Sequence, residues 1–265
     1  MSSSGPARRG VARGAPQGRQ RLDKVVLRQG PRISAEVYLY GGHVTSWKDQ
    51  FEEELLFVSN KAIFKPPKAI RGGIPICFPQ FSNFGHLEAH GFARNKIWTV
   101  DTDPPPFPVP ISSRAYIDLI LKPTDEDLKI WPHSFEYHGK PFSLPCISHA
   151  FSISDISEIR VEGLETLDYL DNLQDRARFT EQGDAIVFES ELDRIYLGTP
   201  SKIAIIDHEK KRTFVVRKGG LPDAVVWNPW DNKKLRQWQI LGMTNINACC
   251  SGGFCQLALS QLLRR

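Results

Sequence analysis

The chain has 265 residues, 41% of them hydrophobic, with 34 Lys and Arg against 30 Asp and Glu and a net charge of +4. That length suits one large β domain or two ordinary ones, and the charge excess is too small to argue for general nucleic-acid binding. No apolar run is long enough to span a bilayer, no apolar core of a secretion signal follows the N-terminus, and five cysteines, an odd number, do not form a disulfide framework; a reducing, cytoplasmic setting is the simple expectation.

In chain order, Met1–Arg21 is Ser, Gly, Pro, Ala and Arg with no apolar period, so it is expected to be a disordered basic tail. An organelle address or an RNA-binding arm are the alternatives for its arginines. From Leu22 onward the signals are those of strands. Glu36–Tyr40 is rich in β-formers and ends at the turn Gly41-Gly42.

Lys65–Trp98 is the most informative stretch, KPPKAIRGGIPICFPQFSNFGHLEAHGFARNKIW. Pro66, Pro67, Pro75 and Pro79 fix φ, and Gly72 and Gly73 permit backbone that a side chain would forbid. Arg71 and Arg94 flank this rigid loop. A guanidinium is a planar fork suited to phosphate or carboxylate, and it stays charged at physiological pH. The residues therefore point to a pre-organised site for a small anionic ligand, or to arginines that pair with nearby acids such as Glu88.

Asp103–Pro108 reads as a stiff surface loop. Ala115–Leu121, Ala185–Ser190, Asp193–Leu197 and Ala224–Trp227 read as strands. Ile203–Ile206 and Thr213–Arg217 flank the polar turn Asp207–Arg212 and read as a hairpin. Many short strands with frequent turns and no βαβ rhythm imply an all-β sandwich. Cys249, Cys250 and Cys255 lack a second ligand pair or a nearby His, so no metal site is expected there.

IRGGIPICFPQFSNFG followed by HGFARNKIW resembles the signature of the glucose-6-phosphate 1-epimerases, the aldose-1-epimerase-like family. AEVYLYGGHVTSWK (Ala35–Lys48), the long segment Ser154–Lys218 and LPDAVVWNPWD (Leu221–Asp231) resemble its plant members. The resemblance runs from about Leu22 to Asp231. It implies a large twisted β-sandwich of the galactose-mutarotase type, a hexose 6-phosphate as the small-molecule partner, and no cofactor. It also implies roles. His149 is the match for the general acid, Arg71 and Arg94 for a phosphate clamp, His90 for a hydrogen-bonding partner of the sugar, and Asp193 for the sugar-binding aspartate. Trp227 and Trp230 could supply a hydrophobic wall or pack in the core. Ala89 departs from the family, which usually places Gln just before HGFAR.

Two further departures fall in the second half of the chain. Only Tyr137 and His138 separate WPHSFE (Trp131–Glu136) from GKPFS (Gly139–Ser143), where the family has about two more strands, so the sandwich is expected to be incomplete. After Asp231 the sequence holds no Asp or Glu, whereas the family carries an acidic segment and then a strand bearing the general-base glutamate. Codons for Gln237–Asn245 can be chosen so that a shifted frame spells MADFGDDEY, which resembles that acidic segment, so the tail reads as an out-of-frame translation. The alternative is a lineage-specific tail with a short helix at Phe254–Leu263. The expected organisation is a basic tail over 1–21, an epimerase-like β-sandwich over 22–234 and a divergent tail over 235–265.

Overall fold

Along Ile159–Glu162 and Lys202–Asp207, buried residues alternate with more exposed ones, and Ile159, Val161, Ile203 and Ile205 are wholly shielded from solvent. A period of two places one side of each strand against a core and the other toward water. That alternation organises most of the molecule. The computed structural model describes residues 10–11, 22–83, 86–104, 115–130, 146–152, 155–219, 221–228 and 254–260; the strands at 10–11, 146–152 and 254–260 are described by their backbone pairing.

The strands, in chain order, are β1 (Gly10–Val11), β2 (Lys24–Gln29), β3 (Ile33–Tyr38), β4 (His43–Lys48), β5 (Ile76–Cys77), β6 (Thr99–Val100), β7 (Leu119–Ile120), β8 (Cys146–Ser152), β9 (Ile159–Glu162), β10 (Asp168–Asp171), β11 (Ala177–Thr180), β12 (Ile186–Val187), β13 (Leu192–Tyr196), β14 (Lys202–Asp207), β15 (Arg212–Arg217), β16 (Asp223–Asn228) and β17 (Phe254–Ser260). Among the described residues one α-helix, α1 (Asp125–Ile130), lies between them. A seven-stranded sheet runs β11-β10-β13-β16-β17-β8-β5, a four-stranded sheet runs β12-β9-β14-β15, a second runs β1-β2-β3-β4, and β6 and β7 pair alone. Among the described residues every pairing between these strands is antiparallel.

The main core lies between the seven-stranded sheet and the β12-β9-β14-β15 sheet. Ile159, Val161, Ile203 and Ile205 meet Tyr169, Leu192, Tyr196, Ala224 and Val226 there. Truncating one of the buried isoleucines to Ala would cost about 2–5 kcal/mol, since the transfer term and the cavity term add. The opposite face of the seven-stranded sheet carries a smaller core of Cys77, Ile195 and Val225, with Phe81, Leu170 and Leu197 packed against it. Consecutive residues of β13 thus serve opposite faces. Leu192 and Tyr196 enter the main core, while Ile195 enters the smaller one.

The all-β expectation holds, and the hairpin over 203–217 forms as β14 and β15. Other expectations are corrected. The strand expected at Ala115–Leu121 narrows to Leu119–Ile120, paired with β6. Helix α1 follows it, begun by Thr124, whose N–H and hydroxyl both donate to Asp127 at 2.8 and 2.7 Å. The segment Phe254–Ser260 is a strand between β16 and β8 rather than part of a helix. A short apolar run fits either state, and here the two open strand edges beside it decide. In the basic tail, Gly10–Val11 pair with β2. The deletion near Tyr137 and the shifted-frame segment at Gln237–Asn245 lie outside the described residues.

Candidate active site

The loop that bears Arg71 is shaped by Gly72. Its φ is +95°, and a Cβ there would sit 2.3 Å from the Phe57 carbonyl oxygen. Only glycine fits so close an approach at that φ. The chain then runs alongside Phe57–Ser59: Gly73 N–H donates to Phe57 O at 2.6 Å, and Ser59 N–H donates to Arg71 O at 3.2 Å. The Arg71 side chain stands exposed above this ladder.

Arg94 sits in the short 3-10 turn Ala93–Asn95. Its Nη2 donates to the Ala89 carbonyl at 2.7 Å, and its Nε is buried with no hydrogen-bond partner. Burial pushes the guanidinium below its usual range, and nearby Cys77, Glu88 and Tyr40 push it back up. Arginine remains charged under such conditions. Neither Arg71 nor Arg94 forms an ion pair among the described residues. The alternative in which they pair with a surface acid is thus not what these residues do. The substitution at Ala89 also leaves intact a main-chain role, since it is the Ala89 carbonyl that holds Arg94.

His90 has φ +68°, a conformation that costs a non-glycine residue free energy and recurs at functional sites. Its Nδ1 accepts from Ser82 N–H at 3.2 Å. In the neutral ring that bond assigns the proton to Nε2, which leaves Nε2 as a donor for a ligand. Phe81 packs edge-on against the ring, with centroids 5.1 Å apart. The loop is braced from within by Gln80, a buried side chain whose Nε2 donates to Ser82 O and Leu87 O at 3.0 Å and whose Oε1 accepts from Leu87 N–H at 3.0 Å.

Asp193 lies in β13, directly opposite Trp227 of β16. Cross-strand partners project to one face, so the carboxylate stands beside the indole. Burial raises the Asp193 pKa; the amide of Asn172, donating to Oδ1 at 2.8 Å, lowers it, and the charges of Asp171 and Glu191 raise it. Asp193 forms no ion pair with Arg194 or Arg217, the alternative use for a strand aspartate here, among the described residues. Arg194 pairs with Glu181 instead, at 2.9 Å, and lies over the Tyr169 ring at 4.4 Å.

These residues share one side of the seven-stranded sheet. Ile195, two residues from Asp193 on the same face, packs in the small core with Cys77 and Phe81. Phe81 packs against the His90 ring, and Arg94 lies near Cys77. The loop of Arg71 meets His43 at the Gly72 carbonyl, and His43 lies near Arg94. His149 enters the same sheet in β8, opposite Leu257 in register, but its row continues through Val226, a main-core residue, to Arg194, so the register assigns it to the face opposite Asp193 and does not bring it together with the others. Sequence reasoning gave no role to Gln80, Asn172, Tyr40 or His43. Buried polar side chains that brace main chain have no local sequence signature. Among the described residues no group of three His, Cys, Asp or Glu could hold a metal ion.

The sequence profile of the aldose 1-epimerase family matches residues 23–138 and 147–254. A Cenchrus ciliaris protein named "Putative glucose-6-phosphate 1-epimerase" is 63% identical over 236 residues, 80% of this chain and 72% of that protein. An Escherichia coli (strain K12) protein of the same name is 30% identical over 80% of this chain and 76% of its own length. The crystal structure of a Salmonella typhimurium protein named "putative mutarotase (YeaD)" superposes with a TM-score of 0.75 at 26% identity, covering 95% of this chain and 88% of that one.

Proposed function

The chain belongs to the aldose 1-epimerase family, a family of isomerases, and from that membership we propose that it binds a hexose 6-phosphate in a site of the kind that interconverts α and β anomers. The observation that carries the choice of a phosphorylated sugar is Arg94. Its guanidinium is held half-buried by the Ala89 carbonyl, with Nε unpartnered and with no ion pair among the described residues. Burying an unpaired cation is costly unless an anion completes the site, and Arg71 on the neighbouring loop supplies the second prong. Asp193 accepts from vicinal hydroxyls, Trp227 beside it gives the ring an apolar wall, and His90 donates from Nε2.

The chemistry is ring opening. A base takes the proton of the anomeric hydroxyl while an acid gives a proton to the ring oxygen, and the bond from C1 to that oxygen breaks. The resulting aldehyde turns about C1–C2 and closes on its other face, with the two protons returned. The family resemblance gives the acid's role to His149, although its register row, with Val226 and Arg194, belongs to the face opposite Asp193. Acid and base must each reach the ring within hydrogen-bond distance. The strand that follows β16 reads Phe254–Ser260 and contains no carboxylate, where the family bears its glutamate. Neutral polar residues do not replace a carboxylate as a base near neutral pH. The reading therefore gives binding of the sugar phosphate with anomer exchange close to the spontaneous rate. The second reading, a sugar-phosphate-binding protein with no turnover, draws on the same absence.

Magnetisation-exchange NMR on glucose 6-phosphate with the full chain tests the rate. Enzyme-dependent exchange well above the spontaneous value would show that another group serves as base. Calorimetry with the same ligand tests the site. Binding lost in Arg94→Ala supports it, and a folded chain that binds neither glucose 6-phosphate nor inorganic phosphate ends it.

A further inference from the structure

Two arginines on separate loops can grip one phosphate only if something fixes their spacing, and the turn Tyr40–His43 touches both loops. On one side, Gly41 N–H donates to Lys96 O at 2.7 Å and Trp98 N–H donates to Leu39 O at 2.8 Å, which ties the turn to the segment that carries Arg94. The approach is close: a Cβ on Gly41 would lie 2.7 Å from the Arg94 carbonyl oxygen. On the other side, two side chains reach the loop that carries Arg71. The Tyr40 hydroxyl donates to Lys68 O at 3.2 Å, and His43 Nε2 lies 2.6 Å from Gly72 O. A carbonyl only accepts, so that ring nitrogen carries the proton. Both side chains are almost wholly buried, at 1% exposure each, so neither can meet the substrate.

We propose that Tyr40 and His43 are positioning residues that set the distance between Arg71 and Arg94, and with it the affinity of the clamp for a phosphate group. The proposal rests on the reading of those arginines as the clamp. The two side chains pin the Arg71 loop at carbonyls four residues apart in sequence, on either side of Ala69–Arg71. The same turn holds the Arg94 segment by main-chain bonds that no side-chain change removes. Loss of either side-chain bond loosens Lys68–Gly72 against the turn, while the main-chain bonds between Val44 and Ile74 keep the loop in place beyond Gly73, and it leaves Asp193 and Trp227 where they are. Phosphate affinity then falls while recognition of the sugar ring is untouched.

The test uses the full chain and its Tyr40→Phe, His43→Leu, His43→Gln and Arg94→Ala variants, titrated with inorganic phosphate, glucose 6-phosphate and glucose. Tyr40→Phe and His43→Leu are each expected to weaken phosphate and glucose 6-phosphate about three- to tenfold, the worth of one hydrogen bond, with glucose binding unchanged. His43→Gln, which keeps a donor for Gly72 O, is expected to stay within about threefold of the parent on the same scale. Parent-like phosphate affinity in folded Tyr40→Phe and His43→Leu overturns the proposal, as does an equal loss for glucose. If His43→Leu does not fold, Tyr40→Phe decides alone, because Phe fills the same volume. If the parent binds no phosphate, the clamp reading fails, and amide exchange decides the positioning claim. Faster exchange at Gly73 and Ser59 alone in the two variants upholds it, and unchanged exchange there overturns it.

Discussion

The Asn172 amide donates to Oδ1 of Asp193 at 2.8 Å, and it is the one hydrogen bond that the described residues give this half-buried carboxylate. The donor favours the ionised form, against burial and against the charges of Asp171 and Glu191. A carboxylate that accepts from sugar hydroxyls must be ionised to do so. Sugar-phosphate affinity is therefore expected to fall as pH drops through the raised Asp193 pKa. Asn172→Leu removes that hydrogen bond, pushes the Asp193 pKa higher still, and moves the acid limb of the affinity profile to higher pH. Calorimetry across pH checks the direction of the shift. An unmoved limb would separate Asp193 from binding.

Burial of His43 gives a stability signature. Its pKa is driven down from 6.5 to about 4, chiefly by burial, with the Gly72 carbonyl working against the shift and Arg94 with it. Between those values the unfolded chain binds a proton that the folded chain does not, so stability rises with pH across the window. As pH falls from 6.5 toward 4, roughly 3 kcal/mol is expected to be lost. Asp193 contributes with the opposite sign, since its folded pKa is raised. The comparison with His43→Gln, by urea denaturation at a series of pH values, isolates the histidine, and the variant should lack this part of the slope.

Gly72→Ala strains the chain twice over. The backbone there has φ +95°, and the added methyl would stand 2.3 Å from a main-chain oxygen. A loss of about 1–3 kcal/mol is expected, together with weaker phosphate binding, because the loop that carries Arg71 must move. Thermal unfolding and phosphate titration of the same sample report the two effects.

On the reverse face of the seven-stranded sheet, the Tyr196 hydroxyl and Arg194 Nη1 both donate to Glu181 Oε2, at 2.7 and 2.9 Å. Burial pushes the Tyr196 pKa up, and its bond to Glu181 adds to this, so it remains a donor throughout the working range. Tyr196→Phe should cost about 1–2 kcal/mol in urea denaturation and leave sugar-phosphate affinity unchanged, because the cluster faces the main core. A change in affinity would show that the two faces of the sheet are coupled.

The strand pattern was legible wherever one face is buried. Ile203 and Ile205 alternate with Ala204 and Ile206, and the hairpin expected from them formed within one residue at each end. The loop Lys65–Trp98 was legible as a functional element because prolines, glycines and arginines each restrict the chain for a local reason. Helix α1 was missed although Thr124 and Asp127 are spaced as a cap, since six residues are too few to show a helical period. Strand β17 was missed because its pairing edges come from β16 and β8, which are remote in sequence. Tyr40 and His43 stand within the motif Ala35–Lys48. Their work is done on the carbonyls of Lys68 and Gly72, and nothing near them in sequence reveals it.

The last described strand in the sequence does not lie at the edge of the sheet. In the order β11-β10-β13-β16-β17-β8-β5, strand β17 stands third from one end, and it alone joins β8 and β5 to the other four. During synthesis the sheet therefore waits as two separate pieces, each with an open edge, until residues 254–260 emerge to close the seam. A stop codon ahead of Phe254 would remove a middle plank rather than trim an end, and aggregation through the two bare edges is the fate to expect of such a product.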